Sequence, residues 1–284
     1  MDFVDHSRKL GDFRYIYAVI SRRSGGLSIG VNLNPDKVCN FACPYCQVDR
    51  TTPGGERDVD LETLKRELDQ LLSLVASGEI WGLSPYNTAA PNLQRVNDIA
   101  IAGDGEPTTA KNLGAVLEAV ANARSRHGLD DVKLFLLTNA TMLHRKSVQE
   151  ALDVWDAAGG VLWAKLDAGD ADQYKLVNDA QISFAKVCAN LELATKRWRV
   201  IIQSMQMAWD GVVPTPEQMR SWAEVLASLL SSGGQIEQVQ IYTIARAPAN
   251  PRCSPLTDGQ LREFGALITH LNIPVLIAGG ATGS

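Results

Sequence analysis

Six short apolar runs, separated by stretches of helical periodicity, constrain the fold of this chain more than any other feature. They span residues 28–34, 98–103, 132–138, 160–167, 199–204 and 238–244. Several are rich in Val, Ile and Leu, and most stop at a polar residue or a glycine. This pattern predicts strands buried on both faces of a parallel sheet. Between them, Leu61, Leu64, Leu68, Leu71, Leu72 and Val75 form one apolar stripe, with Asp60 as N-cap and Gly78 as stop. Leu113, Val116, Leu117 and Val120 form a second stripe, and Val148, Leu152 and Trp155 a third. A weaker helix is expected over 182–196. Another opens on a capping box in which Thr215 caps, Pro216 takes the first helical position and Gln218 reaches back. A last helix over 257–271 precedes a short strand over 274–278. Regular βα repetition implies right-handed crossovers, and six units suit an open doubly wound sheet or a partial barrel. In both, ligands gather at the C-terminal ends of the strands, so polar strand exits are site candidates. The irregular stretch 78–97 is either a lid or a packed surface loop.

Composition narrows the partners. At 284 residues and 45% hydrophobic content, the chain has material for one large α/β domain or two small ones. A net charge of −5 argues against broad adhesion to nucleic acid, which needs a basic face. Acids stand near the N-terminus where a signal peptide would be cationic, and no apolar run is long enough to span a bilayer, so a cytoplasmic location is expected. Five cysteines is an odd count, and Cys39, Cys43 and Cys46 fall within eight residues. In a reducing compartment such clustering favours metal ligation over disulfides.

The spacing Cys39-x3-Cys43-x2-Cys46 offers three thiolates to one centre. A structural zinc site wants four protein ligands, and a distant fourth from His6, His127, His144, His270, Cys188 or Cys253 would complete one, although none sits at knuckle spacing. A four-iron cubane held by three cysteines instead keeps one iron open to an exogenous group.

This loop, with Tyr45 just before the third cysteine, resembles the signature of the radical S-adenosylmethionine (SAM) superfamily. The resemblance implies an α/β fold, a partial (β/α)6 TIM-like barrel of parallel strands. It implies a 4Fe–4S cluster on Cys39, Cys43 and Cys46, with SAM on the fourth iron and the backbone around Tyr45 near its adenine. Gly103-Asp104-Gly105-Glu106-Pro107-Thr108 resembles the family's glycine-rich motif, whose carbonyls hold the SAM amino group. Glycine there allows close approach of main chain to ligand. By the same resemblance, Thr138, Asn139, Lys165, Asp167 and Gln203, all at strand exits, are candidate contacts to the SAM ribose and carboxylate, and Glu106 adds a carboxylate. Arg246 is a weaker candidate for an anionic substrate.

Residues 21–33, Gln47, 50–52, 103–108, 137–141 and 166–169 narrow the likeness to the wyosine-synthase-like group of Fe–S oxidoreductases. Its tRNA-modifying members carry extra N-terminal cysteines and a basic surface; here no cysteine precedes Cys39. The expected domains are an N-terminal extension over 1–27, a radical SAM core over 28–248 and a C-terminal extension over 249–284. The resemblance implies reductive cleavage of SAM to a 5′-deoxyadenosyl radical that takes hydrogen from a small-molecule or peptide substrate. A low-potential flavodoxin or ferredoxin is the implied electron donor. Two alternatives stand beside it. One is an RNA-modifying enzyme with a basic stripe of Arg14, Arg22, Arg23, Arg50 and Arg57, and the other is a non-enzymatic Fe–S or metal scaffold.

Overall fold

A computed structural model describes residues 13–21, 25–248 and 250–280. The chain divides into two compact units. The first comprises Met1–Val38, Pro53–Leu137 and Lys146–Val161, and the second Cys39–Thr52, Thr138–Arg145 and Leu162–Ser284.

In chain order, the first unit contains β1 (Ile16–Ser21), β2 (Gly26–Val31), α1 (Leu61–Ala76), β3 (Val96–Ile101), α2 (Leu113–Arg126), β4 (Lys133–Thr138) and α3 (Lys146–Ala157). Strand β5 (Gly160–Lys165) leads into the second unit, with α4 (Ala171–Asn178), α5 (Phe184–Arg197), β6 (Val200–Met205), β7 (Met207–Trp209) and α6 (Pro216–Ser231). There follow β8 (Gln238–Tyr242), β9 (Cys253–Pro255), α7 (Asp258–Leu267) and β10 (Val275–Ala278). In the first unit β2, β3 and β4 run parallel in that order. In the second, β5, β6, β8 and β10 do the same. The six expected strands thus form within a few residues of their expected bounds, and they are buried as a parallel sheet requires. Every residue of β6, for example, is buried.

The expected N-terminal extension contributes β1, which pairs antiparallel with β2 from Ile16↔Val31 to Ser21↔Gly26. Its entry is fastened by one buried carboxylate. Glu67 on α1 is 5% exposed and accepts the backbone N–H groups of Arg14 (2.9 Å), Tyr15 (2.8 Å) and Ile16 (3.3 Å). Replacing Glu67 by Gln turns one acceptor into a donor facing N–H groups. The expected cost is about 1–3 kcal/mol, the range for a buried unsatisfied polar group. Thermal melting of E67Q should show it as a drop of several degrees.

Helix signals in the sequence form as expected. Asp60 accepts from the Glu62 and Thr63 N–H groups, and Thr215 with Gln218 closes a reciprocal capping box. The stretch 78–97 folds into three short 3-10 turns, with Ile80, Tyr86 and Ala89 buried and the Tyr86 hydroxyl donating to Ala18 O at 3.1 Å. These residues are packed, as the surface-loop alternative expects. The expected helix over 257–271 ends at Leu267 and continues as a 3-10 turn, Thr269–Leu271. Among the described residues no helix is long and apolar enough to cross a membrane.

Candidate active site

Residues 39–52 carry neither helix nor strand, so contacts other than a regular hydrogen-bond ladder must hold them. Three devices hold them within the second unit. In the first, Asn40, Asn139 and Thr141 form a closed ring. Asn40 Nδ2 donates to Thr141 Oγ1 (2.7 Å), Thr141 Oγ1 to Asn139 Oδ1 (2.7 Å), and Asn139 Nδ2 to Asn40 Oδ1 (2.6 Å). Each member of the ring is donor and acceptor once, the arrangement in which buried polar groups cost least. Thr138 supports the same turn, its hydroxyl accepting the N–H of Ala140, which stands at φ 62°.

The second device centres on Asp167, whose side chain is fully buried. Asp167 Oδ2 accepts from Tyr45 Oη (2.6 Å) and Asn178 Nδ2 (2.8 Å) and lies 3.1 Å from Lys165 Nζ, while Oδ1 accepts the Met205 N–H (2.9 Å). Lys165 also donates to Tyr242 Oη at 3.1 Å and lies over the rings of Tyr45 (5.2 Å) and Tyr242 (5.6 Å). Burial is the largest single influence on the Lys165 pKa and lowers it, but the Asp167 charge together with the Tyr242 and Cys43 groups outweighs burial and the net shift is upward, so the ammonium stays charged. Burial, then the Asp167 charge, pushes the Tyr45 phenol well above its ordinary range, leaving it a neutral donor. The third device is a pair of backbone contacts, from the Ala42 N–H to Asn178 O (3.2 Å) and from the Asn250 N–H to Pro44 O (3.2 Å).

Each sulfur of the loop meets a nitrogen donor. The Phe41 N–H points at Cys39 Sγ (3.5 Å), Asn178 Nδ2 at Cys43 Sγ (3.6 Å) and an Arg50 guanidinium nitrogen at Cys46 Sγ (3.8 Å). Donors aimed at sulfur suit anionic thiolates, so the donor set fits a thiolate-held cluster in number, type and surroundings. Burial pushes the Cys43 thiol up to about 11, with Lys165 pulling the other way. Among the described residues no three of His, Cys, Asp and Glu are gathered closely enough to hold a metal ion. Ligation by the loop therefore requires its sulfurs to draw together, with release of thiol protons.

In the first unit the glycine-rich turn is built on contacts of its own. A Cβ on Gly103 would lie 2.0 Å from Asn32 Oδ1, and one on Gly105 2.1 Å from Val38 O. These glycines make room for Asn32 and Val38, where close approach to a ligand was the expectation from sequence. Asp104 grips the same asparagine, its N–H donating to Asn32 Oδ1 (3.1 Å) and its Oδ2 accepting from Asn32 Nδ2 (2.8 Å). Glu106 is 2% exposed, and its Oε1 accepts both the N–H and the hydroxyl of Thr108, capping a short 3-10 turn. Gly105→Ala should therefore act through packing. Overpacking of this kind costs about 1–3 kcal/mol, and calorimetry should show a lower melting temperature without any ligand present.

Other expected residues fall elsewhere. Gln203 donates to Gln240 Oε1 (3.1 Å), and Gln240 to Gln238 Oε1 (2.9 Å), forming an amide ladder across β6 and β8. Arg246 contributes its carbonyl to Gln47 Nε2 (3.0 Å). Of the basic stripe, Arg14 pairs with Glu56 (3.3 Å), and Arg22 and Arg23, like His6, lie outside the described residues. Cys253 is buried against Val177, Met205, Met207 and Ile244, and Cys188 is half-buried on α5. The sequence pattern did not single out Asn40, Asn178 or Tyr242. They are lone polar residues with no periodicity to mark them, and only the Cys-rich context of Asn40 hinted at a role.

Comparison with known proteins agrees with this geometry. The family model for the Radical SAM superfamily matches residues 33–223, more than half of the chain. Over 170 residues the chain is 29% identical to the UPF0026 protein slr1464 of Synechocystis, covering 58% of this chain and 53% of that protein. It spans about a third of the first curated relative that it matches and about half of the second. SuiB of Streptococcus suis, solved bound to S-adenosylmethionine, is similar in structure with a TM-score of 0.60 at 13% identity, over 92% of this chain and 53% of that one. TYW1 with a lysine-pyruvate adduct, a wyosine synthase, gives a TM-score of 0.52 at 15% identity, over 88% and 74% of the two chains. The expected fold class, an α/β partial barrel of radical SAM type, is borne out by these likenesses. With the cysteine loop and the glycine-rich turn both inside the matched segment, the chain belongs to the radical SAM superfamily.

Proposed function

We propose that this protein is a radical SAM enzyme acting on a small-molecule or peptide substrate, with Cys39, Cys43 and Cys46 as the ligands of a 4Fe–4S cluster. The observation that carries this is the irregular loop 39–46, where three thiols at Cys-x3-Cys-x2-Cys spacing each face a nitrogen donor. When bound, the cluster and SAM together supply reductive cleavage of SAM to a 5′-deoxyadenosyl radical that takes hydrogen from the substrate. The chain's own task is to position the thiols and keep the surroundings ordered. The Asn40–Asn139–Thr141 ring fixes the stretch between Cys39 and Cys43. Tyr45, anchored on Asp167, fixes the stretch between Cys43 and Cys46. Lys165 keeps its proton and balances the Asp167 carboxylate.

For SAM itself we propose as contacts, each unit taken by itself, the backbone of Gly103, Asp104, Gly105 and Glu106 in the first unit, and Tyr45, Thr138, Asn139, Lys165, Asp167 and Gln203 in the second. The core is assigned to residues 28–248, flanked by 1–27 and 249–284. A low-potential flavodoxin or ferredoxin would deliver the electron. Anaerobic reconstitution with iron and sulfide, reduction with dithionite and addition of SAM should yield 5′-deoxyadenosine, measured by chromatography. A protein that takes up zinc and forms no cluster under these conditions would refute the proposal. One that forms a cluster but neither binds nor cleaves SAM would make it a scaffold.

A further inference from the structure

The cysteine loop is clamped at one point by a residue that belongs to no cofactor motif. Asn178 is the last residue of α4 and is 2% exposed. Its carbonyl accepts the N–H of Ala42, the residue before Cys43. Its side-chain nitrogen Nδ2 lies 3.6 Å from Cys43 Sγ and 2.8 Å from Asp167 Oδ2. Both neighbours are acceptors, so the amide nitrogen must face them, and its two hydrogens allow both bonds at once. Asp167 Oδ2 in turn accepts the Tyr45 hydroxyl, one residue beyond Pro44 on the other side of Cys43. Cys43 is thus held through the residue before it, through its own sulfur, and through the tyrosine two residues after it.

Resting on the cluster assignment above, we infer that Asn178 is a positioning residue for Cys43 and raises the reduction potential of the cluster. An N–H donated to a ligating sulfur draws negative charge from it and favours the more electron-rich reduced state. The same amide nitrogen also contacts the Asp167 carboxylate, a negative charge close to Cys43 that by itself opposes reduction. Loss of the amide therefore removes the stabilising hydrogen bond to sulfur and one of the donors that partly neutralise the Asp167 carboxylate, and both changes lower the potential. Helix α4 is the element that delivers this residue. Asp170 caps its N-terminus by accepting the Gln173 N–H, and Asp179 ends it at φ 40° immediately after Asn178.

The test uses the reconstituted full chain and two variants. Asn178→Leu keeps the branched outline of the side chain and removes the donor, and Asn178→Ser withdraws the donor by one bond, out of reach of Cys43 Sγ, without adding bulk. Iron and sulfide content and the melting temperature of the cluster-free protein are measured first, then the midpoint potential by redox titration monitored by electron paramagnetic resonance. The expected result is a more negative midpoint in both variants at full iron content, with the larger shift in Leu. If Leu fails to fold, the Ser variant decides alone. A potential unchanged from wild type in a fully loaded Ser variant, whatever its melting temperature, would overturn the inference and leave Asn178 a packing residue. A wild-type protein that takes up no cluster would overturn the cluster assignment itself, a result distinguishable from the first because no potential could be measured in any of the three proteins.

Discussion

Cys39→Ala, Cys43→Ala and Cys46→Ala are each expected to abolish both the cluster and the formation of 5′-deoxyadenosine, down to the level of a protein-free control. The expectation follows from ligand arithmetic. Three thiolates hold a four-iron cluster with one iron left for an exogenous ligand, so removing any one leaves two irons without protein ligands. Cys188→Ala and Cys253→Ala are the controls. Cys253 is buried among Val177, Met205, Met207 and Ile244, and Cys188 lies part-buried on α5. Burial pushes the Cys188 thiol up to about 11 and raises that of Cys253, as expected of inert structural thiols. Both control variants should retain full iron and sulfide and full SAM cleavage. Iron analysis, sulfide analysis and the visible absorbance of the cluster read the first effect, and chromatography of the nucleoside reads the second. An alanine variant of any of the three that kept a stoichiometric cluster would show that the loop is not the ligand set.

The elements written most plainly in the sequence are those whose signals are local and periodic. The capping box at Thr215, the N-cap at Asp60 and the apolar stripe from Leu61 to Val75 all depend on residues within a turn or two of one another, and all form as expected. Strand β1 escaped notice because its six residues pair with β2 in register but lie in a segment read as a tail. Helix α4 is eight residues long, too short for its stripe of Tyr174 and Val177 to register as a period. Strands β7 and β9 have three residues each and exist only because they pair with one another. The candidate site divides along the same line. Its cysteines are marked by spacing, and Lys165 and Asp167 by their place at a strand exit. Nothing local connects Asn40 to Asn139, 99 residues away, or Tyr45 to Asp167, 122 residues away. On the Cβ side of Gly103 and Gly105 stand Asn32 and Val38, contacts that no local pattern marks. A glycine reports that something comes close, and the sequence does not say what.

Asp167→Asn should be the most destabilising single substitution near the loop, and its cost should shrink as pH rises. In the native protein the carboxylate takes Tyr45 Oη, Asn178 Nδ2 and the Met205 N–H and faces the Lys165 ammonium at 3.1 Å. The lysine side chain is only 20% exposed and the aspartate not at all, so the pair is a buried one. Breaking such a pair from one side typically costs about 3–5 kcal/mol, because the surviving charge is stranded away from water. At about 2–4 °C per kcal/mol for a chain approaching this size, the melting temperature should fall by roughly 6–20 °C. The pH dependence separates a stranded charge from lost packing. In the native protein the Lys165 pKa is raised, so its contribution is complete below the unfolded lysine value and cannot weaken between pH 6 and 9. Without Asp167 the burial effect prevails and the folded-state pKa falls below the unfolded one. The unfolded chain then binds more protons than the folded chain, so stability rises with pH as Lys165 enters its neutral form. The stability gap between variant and wild type, measured by denaturant titration at pH 6, 7.5 and 9, should therefore narrow. Adding Lys165→Met to Asp167→Asn should recover much of the loss and remove the pH dependence, giving a coupling energy between the two sites. A gap that stays constant with pH and a double variant that is merely additive would mean that Asp167 serves the loop as a hydrogen-bond acceptor alone, with the lysine charge satisfied by the rings of Tyr45 and Tyr242 and by the Tyr242 hydroxyl.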